Sequence, residues 1–227
     1  MIPVTPAPIP PSFDAAVRDR GLRAVAELVG EPPPKPRIKG RPFTKIADRR
    51  EDIPPDKLPK YWTRALDDLM EAYQRICAYS CFLIHPVTGA RSVDHMVPKS
   101  RAWDRVYEWS NYRLACSLLN ARKRDFTDVL DPFEVRDGWF VLELVGFQVL
   151  PAEGLHAVTA RQVESTIIRL GLNDPPFRTT RERNWSNYIN GHVSFRTLLE
   201  ESPFVARELL RQGRLRPDDA PAARLER

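Results

Sequence analysis

Only three cysteines occur in 227 residues, at positions 77, 81 and 116, and an odd number does not close into a disulfide framework. Their scarcity suits a reducing compartment. No run of about 18 apolar residues exists, and the N-terminus lacks a charged start followed by an apolar core. A soluble, cytoplasmic chain with no membrane partner is therefore expected. Strong charge imbalance is missing too, since 35 Lys and Arg stand against 30 Asp and Glu, for a net charge of +5 and a pI near 9.3. So modest a basic excess fits a polyanionic partner without requiring one.

With 42% hydrophobic residues the chain can bury a core, as one domain or as one domain with an elaborate tail. Thirteen of its 22 prolines fall in the first 60 residues, and runs such as Pro32-Pro33-Pro34 exclude helix and sheet. Phe13, Val17, Leu22, Val25 and Leu28 recur at roughly helical spacing and predict a short helix over 13–29. From Lys35 to Arg50, seven basic residues (Lys35, Arg37, Lys39, Arg41, Lys45, Arg49, Arg50) face one acid, Asp48. Such a segment is either an arm lying along a phosphate backbone or a solvated linker.

Trp62, Leu66, Leu69, Met70, Tyr73 and Ile76 predict a scaffold helix, with Arg64, Asp67, Asp68 and Glu71 on its other face. Residues 81–84 and 91–93, on either side of a turn at 87–89, predict a hairpin. A helix is predicted over 112–124 with Asn111 as its cap, and there Cys116 and Asn120, four apart, share a face. Asn120 is thereby expected to face the hairpin opposite Asp94. In the loop from Pro98 to Ser110, Lys99, Arg101 and Arg105 alternate with Trp103, Tyr107 and Trp109. That mixture suits nucleic-acid contact, although the tryptophans also read as core beneath a long loop.

Residues 133–135, 139–144 and 147–150 predict a three-stranded accessory sheet. Helices are expected over 159–170, capped by Thr159 and ended by Gly171, then over 179–189, 194–200 and 203–212. Arg181 and Arg183 read either as nucleic-acid or partner contacts or as an ordinary charged helix face.

One constellation carries chemistry. Phosphodiester hydrolysis needs a proton acceptor for water, and the imidazole of His95, with an ordinary pKa near ~6.5, suits neutral pH. It also needs a hard cation at the leaving oxygen, and Asp94 and Asn120 offer the oxygen ligands that Mg²⁺ or Mn²⁺ prefers. Adjacent strand residues point to opposite faces, so Asp94 and His95 serve one site only where the strand ends, as Pro98 suggests.

Asp94-His95 with Pro98 and Lys99, Trp109 and Asn111, Cys116, and Asn120 with Lys123 together resemble the HNH endonucleases, whose active site is a ββα-metal finger. The resemblance is specific over residues 77–123. It implies an endonuclease, a phosphodiester hydrolase, in which His95 is the catalytic base and Asn111 orients the loop. Asp94 and Asn120 would hold Mg²⁺ or another divalent cation, Mn²⁺ included. Lys99, Arg113, Arg122 and Lys123 are the candidates for nucleic-acid contact. Arg122, Lys123 and Arg124 also suit the negative end of a helix. The expected substrate is DNA, with RNA left open. Members of this family often carry a zinc ribbon of two Cys-x-x-Cys pairs, but Cys77, Cys81 and Cys116 supply three thiols at irregular spacing. Structural zinc takes four ligands, so buried free thiols are expected instead, with Leu119 filling the vacated position.

The turn at 170–173 followed by an arginine-bearing helix resembles HNH proteins that act beside an ATPase partner in bacterial anti-phage defence, including the Septu and retron-associated kinds. The expected fold is α+β: a ββα-metal HNH finger packed on helices, with a small accessory antiparallel sheet and a helical C-terminal part. Its expected divisions are an N-terminal arm (1–60), a nuclease core (61–128), accessory sheet and helices (129–212) and a polar tail (213–227). The alternative is a catalytically inactive module that uses the same basic finger to hold nucleic acid or protein.

Overall fold

In the computed structural model, which describes residues 1–219, strand β1 (Arg91–His95) pairs antiparallel with β2 (Tyr112–Cys116), and β2 leads directly into a helix, Ser117–Lys123. The register sets Val93 against Leu114, Asp94 against Arg113 and His95 against Tyr112. The fold is α+β, helical with two small antiparallel sheets. Residues 220–227, the end of the expected polar tail, lie outside the described residues.

This pairing corrects two expectations. The partner of β1 is not 81–84, where Leu83 makes a single bridge to Ile76 and Cys81 turns into left-handed backbone at φ 55°, which breaks an extended run. Nor is 112–116 helical. Tyr112, Arg113, Leu114 and Ala115 are all buried, and a strand covered on both faces loses the alternation by which strands are recognised.

The described chain forms two compact units, one of residues 5–75 and 87–127, the other of residues 1–4, 76–86 and 128–219. Residues 5–60 of the N-terminal arm thus lie in the unit that carries β1 and β2, and residues 1–4 and 76–86 lie in the other. In the first unit a π-helical turn, Asp14–Arg18, continues into α1 (Asp19–Val29), close to the expected 13–29. Gly30, left-handed at φ 76°, ends it, as a residue without Cβ can do cheaply. Phe13 stands edge-on to Trp109 at 5.6 Å and to Tyr112 at 5.8 Å, so Trp109 is core. Gly21 leaves room for the ring of Tyr107, which any β-carbon there would overlap.

The expected scaffold helix over 62–76 is shorter than its apolar spacing suggests. A tight turn, Tyr61–Ala65, leads into α2 (Leu66–Ala72), and Gln74 and Arg75 at φ 50° and 62° break the continuation. Trp62, Ala65, Leu69 and Met70 are its buried residues. The helix after β2 is α3 (Ser117–Lys123), one turn shorter at its start than expected.

In the second unit β3 (Phe140–Leu142) pairs with β4 (Val149–Pro151) in two strands rather than three. Asp131 accepts from the amides of Phe133 and Glu134, holding the expected third strand in a turn. Helices α4 (Ala157–Leu170), α5 (Pro175–Ile189), α6 (Phe195–Glu201) and α7 (Pro203–Arg211) follow. His156, not Thr159, caps α4, its Nδ1 accepting from the Val158 amide. Arg181 is buried and donates to the carbonyls of Phe147 and Leu172, so it serves the interior of this unit rather than a surface partner.

Candidate functional site

The end of β1, the loop after it and α3 enclose a cleft of about 610 Å³. Asp94 and His95 reach it from β1, Pro98 and Lys99 from the loop, Asn120 from α3, and Trp62 from the turn before α2. Thus Asp94, His95, Lys99 and Asn120, spread over 27 positions, line one hollow. All five residues of β1, Arg91 to His95, contribute to its lining.

His95 is 7% exposed and stands edge-on to Trp62 at 5.0 Å and to Tyr112 at 5.2 Å. Its Nε2 lies 3.0 Å from the carbonyl oxygen of Val106. A carbonyl only accepts, so Nε2 carries the proton and Nδ1 the lone pair. Burial lowers the pKa of His95 to about 4, and the cations Lys99 and Lys123 push the same way against the raising effect of the Val106 bond. The imidazole is neutral at pH 7.

Asn111 is not a helix cap, since a strand follows it. It occupies a tight turn, Trp109–Asn111, buried beneath the loop. Its Oδ1 accepts from the Val97 amide at 2.7 Å, while Nδ2 donates to the carbonyls of Val97 and Arg105 at 3.1 and 3.0 Å. With the Met96 amide bonded to the Asn111 carbonyl, both ends of the loop from Met96 to Ser110 are tied together. This side chain is not among those lining the cleft.

Lys123 overturns its expected role as a phosphate contact. Its side chain is wholly buried, and Nζ donates to Asp94 Oδ1 at 3.1 Å and to the carbonyls of His95 at 2.9 Å and Met96 at 3.4 Å. It neutralises Asp94 from beneath. Arg113 is likewise buried, donating to the carbonyls of Ser110 and Tyr112, and cannot sit on a surface backbone. Arg122 is half-buried and lies outside the cleft lining. Lys99 does line the cleft, its Nζ 4.4 Å from the centre of the Trp62 ring, and desolvation followed by the nearby Lys60 lowers its pKa.

Lys60, Arg91 and Arg124 also line the cleft; sequence assigned Arg124 a helix-end role and none to Lys60 or Arg91. For Lys123 a signal existed, because a residue three positions after Asn120 shares its helix face and so turns toward β1. For the Val106 carbonyl none existed, because every residue has one.

The donor set can be tested for a metal. Asn120 Nδ2 donates to the Val93 carbonyl at 3.1 Å, which fixes the amide and presents Oδ1 as its acceptor end. Asp94 offers a carboxylate, the kind of oxygen ligand hard cations take, and its Oδ1 already accepts from Lys123 at 3.1 Å. Among the described residues no group of three His, Cys, Asp or Glu is placed to hold a metal ion. One carboxylate and one carboxamide oxygen fit a hard ion that keeps several waters, as Mg²⁺ does. Cys77 and Cys81 belong to the second unit and Cys116 to the first.

No family model matches the chain, and no curated protein matches it. No helix among the described residues is long and apolar enough to cross a membrane.

Proposed function

We propose that the chain is a metal-dependent HNH endonuclease that hydrolyses phosphodiester bonds of nucleic acid, with DNA as its substrate. The observation that supports this reading is the shared cleft: Asp94, His95 and Asn120 converge there from a strand and a helix. His95 Nδ1 takes a proton from the attacking water. The Val106 carbonyl holds the tautomer, and Asn111 holds the loop that carries that carbonyl. Asp94 and Asn120 are the residues that would hold Mg²⁺ or Mn²⁺, which supplies charge stabilisation at the leaving oxygen. Lys99, at the cleft wall, contacts the phosphate.

A second reading, a non-catalytic module that holds nucleic acid, draws on the depth of His95 and on its lowered basicity. Incubation of the purified protein with labelled duplex DNA and Mg²⁺ or Mn²⁺ separates the two. A nuclease cleaves, and His95→Ala loses at least about 10²-fold in rate, the usual worth of a general base, while binding is retained. A wild type that binds DNA without cleaving it is the module.

A further inference from the structure

A second hollow, of about 700 Å³, lies in the same unit, between the N-terminal half of α1 and the chain that returns over it. Five cations line it: Arg20 and Arg23 from α1, and Lys35, Arg37 and Lys39 from the returning segment, with Tyr61 as its aromatic wall. The one acid in the lining, Asp19, is bonded to Lys35 at 2.7 Å. Glu27, four residues beyond Arg23 on α1, is committed to Arg37 through two bonds of 3.1 and 2.6 Å and accepts the Phe43 amide as well. Two of the five charges are therefore matched by ion pairs, and among the described residues no carboxylate hydrogen-bonds Arg20, Arg23 or Lys39.

The geometry of the two α1 arginines favours an external anion. Each places only its Nε on a backbone carbonyl, Arg20 on Ala15 at 3.1 Å and Arg23 on Lys35 at 2.8 Å. The terminal nitrogens of both forks remain for a phosphate, which guanidinium recognises in bidentate fashion. Spaced three apart, the two stand on one helix face, where like charges repel each other. A polyanion removes that repulsion.

The hollow also adjoins the cleft. Lys60 and Trp62 line the cleft while Tyr61, between them, lines the basic hollow, so both flank one turn.

We infer that this hollow is a second nucleic-acid site, which grips the sugar–phosphate backbone of the substrate strand beyond the segment held in the cleft. The inference rests on the proposed nuclease reading for its choice of polyanion. It assigns the basic arm a folded role, distinct from both a free arm and a linker.

The test is fluorescence anisotropy of a labelled DNA strand with the full chain, across about 50–200 mM salt, where phosphate contacts set the slope. Arg20→Glu with Arg23→Glu is expected to weaken binding roughly tenfold or more and to lower the salt slope by ~2, one for each lost phosphate contact. Arg20→Lys with Arg23→Lys keeps the charge and most of the slope. Single-turnover cleavage at saturating protein stays near wild type in both, because neither arginine lines the cleft. Lys39→Glu, at an exposed position, acts in the same direction and serves if the double variant melts early. Unchanged affinity and slope in the charge-reversed variants of a wild type that cleaves DNA overturns this inference alone. A wild type that neither binds nor cleaves DNA overturns both it and the nuclease reading.

Discussion

The ammonium of Lys123 stands 3.1 Å from a carboxylate oxygen of Asp94, and both side chains are almost wholly enclosed. An ion pair at that depth loses the hydration of both partners, and its attraction returns that cost only because the ammonium also bonds two β1-end carbonyls. The pair pins α3 to the end of β1, beside the residue that faces the cleft.

Removal of one partner takes a buried opposite charge from the other. Lys123→Met is expected to cost about 3–5 kcal/mol in urea unfolding, because Asp94 loses the enclosed ammonium that offsets its charge. Asp94→Asn added to Lys123→Met recovers part of the loss, a coupling that a double-mutant cycle reads directly. A loss below about 0.5 kcal/mol, as for an ordinary surface substitution, contradicts the buried pair.

Asn111→Ala removes three hydrogen bonds and leaves the Val97 amide and two carbonyls without them. The cost should reach roughly 2–4 kcal/mol, with faster hydrogen exchange at the Val97 amide. Under the nuclease reading, kcat falls while the DNA affinity holds, because the loop then presents the Val106 carbonyl loosely. A fall in affinity with kcat intact would place Asn111 in substrate binding instead.

Stability should fall in acid through His95. Its folded pKa of about 4 lies below the ~6.5 of an unfolded chain, so below neutrality the unfolded chain takes up the proton more readily. The contribution is complete above ~6.5 and is lost as pH falls toward 4, by roughly 3 kcal/mol in all. Urea midpoints of the wild type and His95→Gln, compared at pH 7 and pH 4.5, isolate it from other titrations. The stability difference between the two proteins should shift by roughly 2–3 kcal/mol against the wild type. A constant difference means that His95 titrates normally and is not buried as described.

Much of the fold was legible. Phe13, Val17, Val25 and Leu28 marked the first helix by their spacing, and Gly171 marked the end of α4 by its freedom in the left-handed region. The strand Tyr112–Cys116 was not legible, because its residues are buried on both faces and show no alternation. Of the basic arm, sequence showed charge alone. The fold commits Lys35, Arg37, Lys45, Arg49 and Arg50 to partners within the chain.

Residue type and spacing alone settled which groups were capable of proton transfer and of oxygen ligation, because those properties belong to side chains wherever they sit. They placed Asp94, His95 and Asn120 as one candidate set. Only the folded chain decided that Lys123 is spent on Asp94 and on backbone carbonyls, and that a carbonyl at Val106 selects the His95 tautomer. Burial and partner choice depend on what distant segments bring alongside, and a linear pattern holds no record of that.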